Sequence, residues 1–352
     1  MQLSEVTSIQ NTPAGNTIDI SIVVPVRDEA ESIGRLLNDL LTQTFKPQEI
    51  VITDGGSTDA TVSIIEDFIR DGAPVRLVRE VDSLPGRARN LAVQHARGNW
   101  IAFIDAGTRP APEWLESLAQ KIIDDSTTDV VYGTYEPVID TFFTECAAIA
   151  YVPAPSAGED GPVRPRSIVS ALMRREVWKF VGGFPEDLRS AEDLLFMQRV
   201  QQANCKTVRA SRAVVSWWIQ PTLWLTFKRF VRYSRNNIRA GLFWDWQGRI
   251  FIYYAVLALP VFRILTVNAD RTVRFDPLSL LLIPALFILL LSIRAVKALW
   301  RNRYAYAGGF LRNVARGFVI FPILAAIDLA AFVGSIHWLL ADKFHLMGAR
   351  SS

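Results

Sequence analysis

Asp54, Asp105 and the pair Glu192 and Asp193 are the residues whose type and position could do chemistry. Asp54 ends the apolar run in Val51-Ile-Thr-Asp-Gly-Gly-Ser-Thr-Asp59, and Asp105 ends the one in Trp100-Ile-Ala-Phe-Ile-Asp-Ala-Gly107. Such short apolar runs predict buried parallel strands, and a carboxylate at a strand's C-terminal end emerges where open α/β sheets bind ligands. Glu192 and Asp193 open a helical pattern further along. Two carboxylates on a nucleotide shelf, with an acidic pair facing them, fit the chemistry of an activated nucleotide-linked sugar. Asp105 would hold a divalent cation (Mg²⁺ or Mn²⁺) across a diphosphate, since such a cation needs only one or two carboxylates beside phosphate oxygens and water. Asp193, with Glu192 beside it, would be a general base for an acceptor hydroxyl; the same pair could instead serve only to complement a helix dipole.

Further polar groups cluster near these acids. Pro25, Val26, Arg27, Asp28 and Glu29 follow the first strand pattern, where a turn can hold a base or ribose or simply cap the next helix. Gly55 and Gly56 let the backbone approach a ligand closely, while Ser57 or Thr58 can cap the helix that follows. Arg87 and Asn90 start a helix and could meet the nucleotide or its pyrophosphate. Arg89 between them is expected on a solvated face. Ala106 completes the turn after Asp105.

The elements that must position these residues follow from hydrophobic spacing. Strands are expected at 18–26, 49–53, 75–78, 100–105, 130–132 and 166–173. Helices are expected at 31–43, 58–70, 86–97, 174–181 and 192–203, with another opening near Pro112. Strands alternating with helices predict a parallel, doubly wound sheet. The stretch 133–161, with Pro137, Pro153, Pro155 and Gly158, is expected to be loops over the sheet edge.

Composition narrows the class. The 352 residues carry a net charge of +3, which gives no sign of a nucleic-acid partner. Two cysteines far apart, Cys146 and Cys205, make neither a disulfide framework nor a zinc site and fit a reducing compartment. Half the residues are hydrophobic, and the excess lies late in the chain. Three apolar stretches, 250–267, 277–293 and 318–340, are expected to cross a membrane as about three helices, which leaves the short C-terminal tail outside; the first, with Pro260 and Arg263, and the short second could each instead be a tilted span or half of a re-entrant pair. In the third, apolar gain outweighs Asp328, itself expected in a helix–helix contact along with His337. Arg294, Lys297, Arg301, Arg303, Arg312 and Arg316 lie between the second and third stretches without an acid, whereas the 268–276 loop is charge-balanced. The positive-inside rule then puts the 294–316 loop in the cytosol. A polar start without an apolar core makes no signal peptide and keeps the first domain there too. The basic, aromatic run Lys228-Arg-Phe-Val-Arg-Tyr-Ser-Arg235, with Arg239, suits a helix in the membrane interface or plain flanking charge; an anionic lipid head group would be drawn to it. The expected divisions are a polar tail (1–17), an α/β domain (18–220), a basic amphipathic segment (221–249), a transmembrane region (250–340) and a C-terminal tail (341–352).

In order, Ile22-Val-Val-Pro-Val-Arg-Asp-Glu29, Val51–Asp59, Ala88-Arg-Asn90, Phe103-Ile-Asp-Ala-Gly107, Gly182-Gly-Phe184 and Glu192-Asp193 resemble the motifs of family 2 glycosyltransferases. The resemblance covers about 18–215. It implies an α/β GT-A fold, a Rossmann-like nucleotide-diphospho-sugar transferase domain, here followed by transmembrane helices. It implies that Asp28, Glu29 and Asp54 bind the nucleotide, that Asp105 holds the metal, and that Asp193 is the base of an inverting transfer. Two departures stand out. Gly107 occupies the second acid position of the family's Asp-x-Asp, and the Gln-x-x-Arg-Trp motif of processive synthases is not found. A single transfer from a UDP-sugar to a lipid-linked acceptor or a polyprenyl phosphate near Arg232 and Arg235 is the expected activity, as in exopolysaccharide or glycolipid synthesis. The alternatives are a processive polysaccharide synthase and a catalytically silent membrane scaffold.

Overall fold

The structure, a computed structural model, describes residues 18–266 and 277–343, with side chains at 260–266, 277–283 and 343 outside the description. Three strands form its centre: β1 (Ile20–Val26), β2 (Glu49–Asp54) and, after β3 (Val75–Arg79), β4 (Trp100–Phe103). Every residue of β2 and β4 is buried, because helices cover both faces of the sheet. Side chains alternate as a strand requires. Ile20, Ile22, Val24 and Val26 enter one core with α1 (Ile33–Leu41) and α4 (Trp114–Asp124). Val23, Val51, Ile101 and Phe103 enter the other, with α3 (Pro85–His95), α6 (Arg175–Phe180) and α7 (Glu192–Gln202).

Among the described residues the main sheet has eight strands in the order β3-β2-β1-β4-β9-β6-β10-β5, where β5 is Thr108–Pro110, β6 Val130–Val138, β9 Ala171–Arg174 and β10 Thr207–Trp218; β7 (Ser156–Gly158) and β8 (Gly161–Val163) form a separate antiparallel pair, and α2 (Thr61–Arg70) joins β2 to β3. It is mixed rather than wholly parallel. β9 runs antiparallel to both β4 and β6, and β5 antiparallel to β10. Within it, β1 is parallel to both β2 and β4, with Val26 opposite Asp54 and Val23 opposite Phe103. Continuing that register brings the Pro25 turn beside Asp105, so three strand ends meet at one edge.

The 133–161 stretch is not all loop. β6 continues to Val138, and α5 (Phe142–Tyr151) follows, closed at its start by a Thr141–Thr144 capping box. Its seven residues from Thr144 to Ala150 are all buried, so no polar stripe marks it as a helix in the sequence. Likewise, the expected strand at 166–173 splits into a short 3₁₀ turn, Ile168–Ser170, and β9.

After α8 (Leu223–Arg239) and α9 (Phe243–Trp246), the apolar stretches lie in α10 (Gly248–Thr266), α11 (Pro277–Arg301) and α12 (Phe310–His337). The charge-balanced loop at 268–276 lies outside the described residues. Among the described residues one helix rather than three is long and apolar enough to cross a membrane, Phe310–Asp342, and 44% of its apolar window is buried within the protein. Leu291, Ala295 and Ala298 of α11 and Ile320, Ile323 and Leu324 of α12 share a core with α5. Glu145 of α5 accepts from Arg312 at 2.8 Å and from Arg316 Nε at 2.9 Å, and the Arg316 and Glu145 side chains are only 2% and 7% exposed. Burial would raise the Glu145 pKa, but the two arginines outweigh it and lower it.

Removing one partner of a buried pair strands the other. Glu145→Ala is expected to cost about 3–5 kcal/mol, whereas Asp160→Ala, which breaks a surface pair with Lys121, should cost under about 1 kcal/mol. Thermal midpoints in detergent would check the contrast.

Candidate active site

A cleft of about 260 Å³ opens at the strand ends. Pro25, Val26, Arg27, Glu29, Gly55, Asp105 and Ala106 line it, together with Ser83, Leu84, Pro85, Ala88, Arg89 and Arg189. Seven residues expected from the sequence to bind a nucleotide are therefore on its wall.

Three more frame it. Asp28 takes a left-handed conformation, φ 53°, tolerable for aspartate. Its backbone N donates to Ser57 Oγ at 2.9 Å, and its Oδ1 accepts from Thr58 N at 2.8 Å. Asp54 is buried and accepts from Gly56 N at 3.2 Å and Ser57 N at 3.1 Å. Gly56, at φ +88°, completes that turn. In this structure Asp28, Asp54 and Gly56 hold the two loops together. Ser57, one of two candidate helix caps, instead bonds Asp28 N and Asp54.

Arg87 and Asn90 point elsewhere. Arg87 pairs with Glu80 and, at 3.0 Å, with Glu186. Asn90 is buried; its amide donates to the Phe184 carbonyl at 2.9 Å and accepts from Phe184 N at 2.9 Å and Trp178 Nε1 at 3.0 Å. It anchors the Gly182–Phe184 turn rather than facing the cleft.

Arg89 is where the expectation fails most. It was expected in solvent, yet its side chain is 5% exposed. One Nη donates to Asp105 at 2.7 Å and the other to Glu192 at 2.6 Å. Burial alone would lower its pKa; the charges of Asp105, Glu192 and Asp193 outweigh that and raise it. Gly86, Arg89 and Val93 are all buried, and their spacing of three and four residues is the face a helix turns inward. That spacing was the signal for Arg89, masked by its charge.

The acids reach this guanidinium from different elements. Asp105 lies just past β4. Glu192 and Asp193 open α7 after Ala191, which adopts φ 74°. For a residue with a Cβ this conformation is uncommon and costly, and Phe184 stacked on Phe196 at 3.9 Å helps fix the turn against α7. Burial raises the Asp193 pKa to about 6; Glu192's charge adds to the rise and Arg89 opposes it. Glu192 Oε2 is buried without a hydrogen-bond partner among the described residues.

The donor set fits a divalent cation held largely by substrate. Among the described residues no cluster of three possible ligands exists. Asp105 Oδ1 is taken by Arg89, and Oδ2 has no hydrogen-bond partner among the described residues. Gly107 takes φ +77°, and a Cβ there would lie 3.2 Å from Glu29 Oε2. An acid at 107 would therefore crowd the Glu29 carboxylate, whose Oε2 accepts from Ser32 Oγ.

Residues 21–179 match the family described as Glycosyl transferase family 2. The glycosyltransferase AglE of Haloferax volcanii is 29% identical over 192 residues, 53% of this chain and 62% of that protein. The poly(ribitol-phosphate) beta-N-acetylglucosaminyltransferase TarS of Staphylococcus aureus is 29% identical over 213 residues, 55% of this chain and 34% of that one. The chain thus spans less than two thirds of the length of these relatives. The mannosyltransferase PcManGT of Pyrobaculum calidifontis, solved with GDP-Man and Mn²⁺, superposes with a TM-score of 0.52 at 18% identity, covering 94% of this chain and 91% of that one. It shares the GT-A fold.

Arg89→Met should lower stability by about 3–5 kcal/mol, because it leaves Glu192 buried and uncompensated. Adding Glu192→Gln should restore much of that loss; thermal midpoints of the two variants would show it.

Proposed function

We propose that this chain is a family 2 glycosyltransferase that moves one sugar from a UDP-sugar to a lipid-linked acceptor at a membrane surface, its catalytic domain on the cytosolic side, a reading supported by the family match over residues 21–179. The observation that carries this reading is the Asp105–Arg89–Glu192 bridge, which ties a donor cleft to an acidic pair.

The nucleotide lies along Pro25–Arg27, Gly55 and Ser83–Pro85, with its diphosphate toward Asp105. Asp105, with Glu29 on the same wall, would hold a divalent cation, which would supply positive charge against that growing on the leaving diphosphate. Asp193 accepts the proton of the acceptor hydroxyl as its oxygen attacks the anomeric carbon. The bond from that carbon to the diphosphate oxygen breaks on the opposite side, so the configuration inverts. Glu192, held by Arg89, positions Asp193 and helps keep its pKa near the working range of a general base. Arg89 also keeps Asp105 and the acidic pair at a fixed separation, the orientation on which such rates depend.

The acceptor side faces α8. Arg239 donates to the Asp187 carbonyl at 3.1 Å, in the loop leading to the acidic pair. Arg235 forms a two-point pair with Asp342 at 2.9 Å. Lys228, Arg232 and Arg239 remain on the exposed stripe, with Lys228 over the Trp224 ring at 5.0 Å. A cationic stripe ending beside the acidic pair supports an acceptor carrying phosphate.

Purified protein assayed over UDP-, GDP- and dTDP-sugars with membrane lipid extract, with Mn²⁺ or EDTA, should release one nucleotide in a metal-dependent way. Silence across the panel would favour a scaffold role, and a ladder of product lengths a processive synthase. Asp193→Asn should slow transfer to a hydroxyl roughly 10²–10⁴-fold; a small effect would mean the acceptor is a phosphate, already anionic. The base must be ionised, so the rate should fall as pH drops through about 6. Glu192→Gln removes a charge that raises the Asp193 pKa, so this acid limb should move to lower pH; a limb moving upward would contradict the assignment.

A further inference from the structure

The C-terminal helices divide into two groups by what surrounds them. α12 is tied to the catalytic domain along its length. At its start, Arg312 and Arg316 meet Glu145 of α5. Near its end, Ser234 of α8 donates to the Ala331 carbonyl at 2.9 Å, and a Cβ at Gly334 would lie 2.6 Å from the Val231 carbonyl oxygen. Just beyond, Arg235 of α8 pairs with Asp342. α8 in turn rests on the catalytic domain, through Phe230 on Tyr151 at 5.1 Å and Arg239 on Asp187. Taking α12 across a bilayer would drag α8 in beside it, with Lys228, Arg232 and Arg239 exposed on its outer stripe, and charged groups facing lipid are costly.

α10 and α11 behave differently. Tyr254 reaches Asp328 at 3.0 Å and packs near Phe287 at 6.1 Å. Tyr254 is twelve residues from the end of α10 at Thr266, and Phe287 ten from the start of α11 at Pro277. The two helices therefore leave the body together as an antiparallel pair. Beyond Tyr254, Ala255, Val256, Ala258 and Leu259 are exposed and Leu257 half-buried; before Phe287, Pro284 and Ala285 are exposed. Consecutive residues lie about 100° apart around a helix, so Ala255–Leu259 show apolar surface on every side. A helix without a polar face needs an apolar surrounding; a protein partner would cover one face only. At the base of the pair stand exposed Trp244, Trp246 and Trp300, the last with Arg303 stacked at 4.3 Å. Aromatic and basic residues gather where a protein enters a bilayer.

We propose that the α10–α11 pair enters the lipid bilayer as a hairpin anchor, and that α12 is an internal strut that does not cross it. The hairpin returns the chain to the side it left, so the α11–α12 connection and the end of α12 both stay on the catalytic domain's side. A third crossing would put the end of α12 on the opposite side.

Single cysteines at Tyr304→Cys and Leu340→Cys, in full-length protein with Cys146→Ala and Cys205→Ala, would be probed in sealed native membrane vesicles of both orientations with a membrane-impermeant maleimide. Both positions should react only from the face on which a protease digests the catalytic domain, and the protein should resist alkaline carbonate extraction. Reaction of Leu340→Cys from the other face would overturn the proposal. So would carbonate release, including release as an oligomer whose apolar helices pair with a second copy. Leu259→Asp with Leu289→Asp should move the protein from the pellet to the supernatant, whereas Leu311→Asp on α12 should leave it in the pellet; equal effects would overturn the distinction. None of these readouts uses sugar transfer, so the outcome stands apart from that of the donor assay.

Discussion

A single buried guanidinium organises this molecule's chemistry. Arg89 has almost no contact with water, and a charge so placed is tolerable only when paired and hydrogen-bonded. Its partners come from separate parts of the chain, Asp105 after β4 and Glu192 at the start of α7. Satisfying the arginine therefore sets the distance between the strand ends and the acidic helix. The local sequence is built to let this happen. A Cβ on Gly86 would lie 1.9 Å from the Pro185 carbonyl oxygen, so the helix carrying Arg89 can approach the loop before α7 only because residue 86 is glycine. Asn90, one residue on from Arg89, clamps the Gly182–Phe184 turn.

The α/β framework was legible because its strands are fully buried and its helices carry one apolar face. β1, β2, α1 and α7 lie within a few residues of where hydrophobic spacing puts them. Two features were not. β10, a twelve-residue strand beside β6, alternates polar and apolar residues only over Thr207–Ser211; the period breaks where the register shifts between Arg209 and Val214, so neither alternation nor an apolar run marks its whole length. α5 is buried on all sides and has neither periodicity nor a polar face. The site was half legible. Pro25, Gly55 and Asp105, placed by strand ends and turns, line the cleft. Arg89 is buried where a solvated face is expected, because charge type alone does not say which way a helix faces. Arg87 is the partly exposed one and Arg89 the buried one.

The C-terminal helices show the same distinction between composition and surroundings. α12 has the length and apolar content of a span, yet it packs on α5 at one end and on α8 at the other. Asp328, a costly residue if it faced lipid, is buried and paired with Arg294 and Tyr254 at the junction of three helices. Hydropathy measures what a helix is made of; only packing says whether lipid or protein surrounds it.

Arg89 joins the cleft and the acidic pair into one unit. The most direct measurement is a double-mutant cycle on the rate of sugar transfer, with Asp105→Asn and Glu192→Gln alone and combined, in protein carrying Arg89 and again in Arg89→Met. Two ends of one network should be coupled by at least about 1 kcal/mol, roughly fivefold in rate, and the coupling should vanish without Arg89. Effects that add within about 0.3–0.5 kcal/mol in the presence of Arg89 would contradict the account.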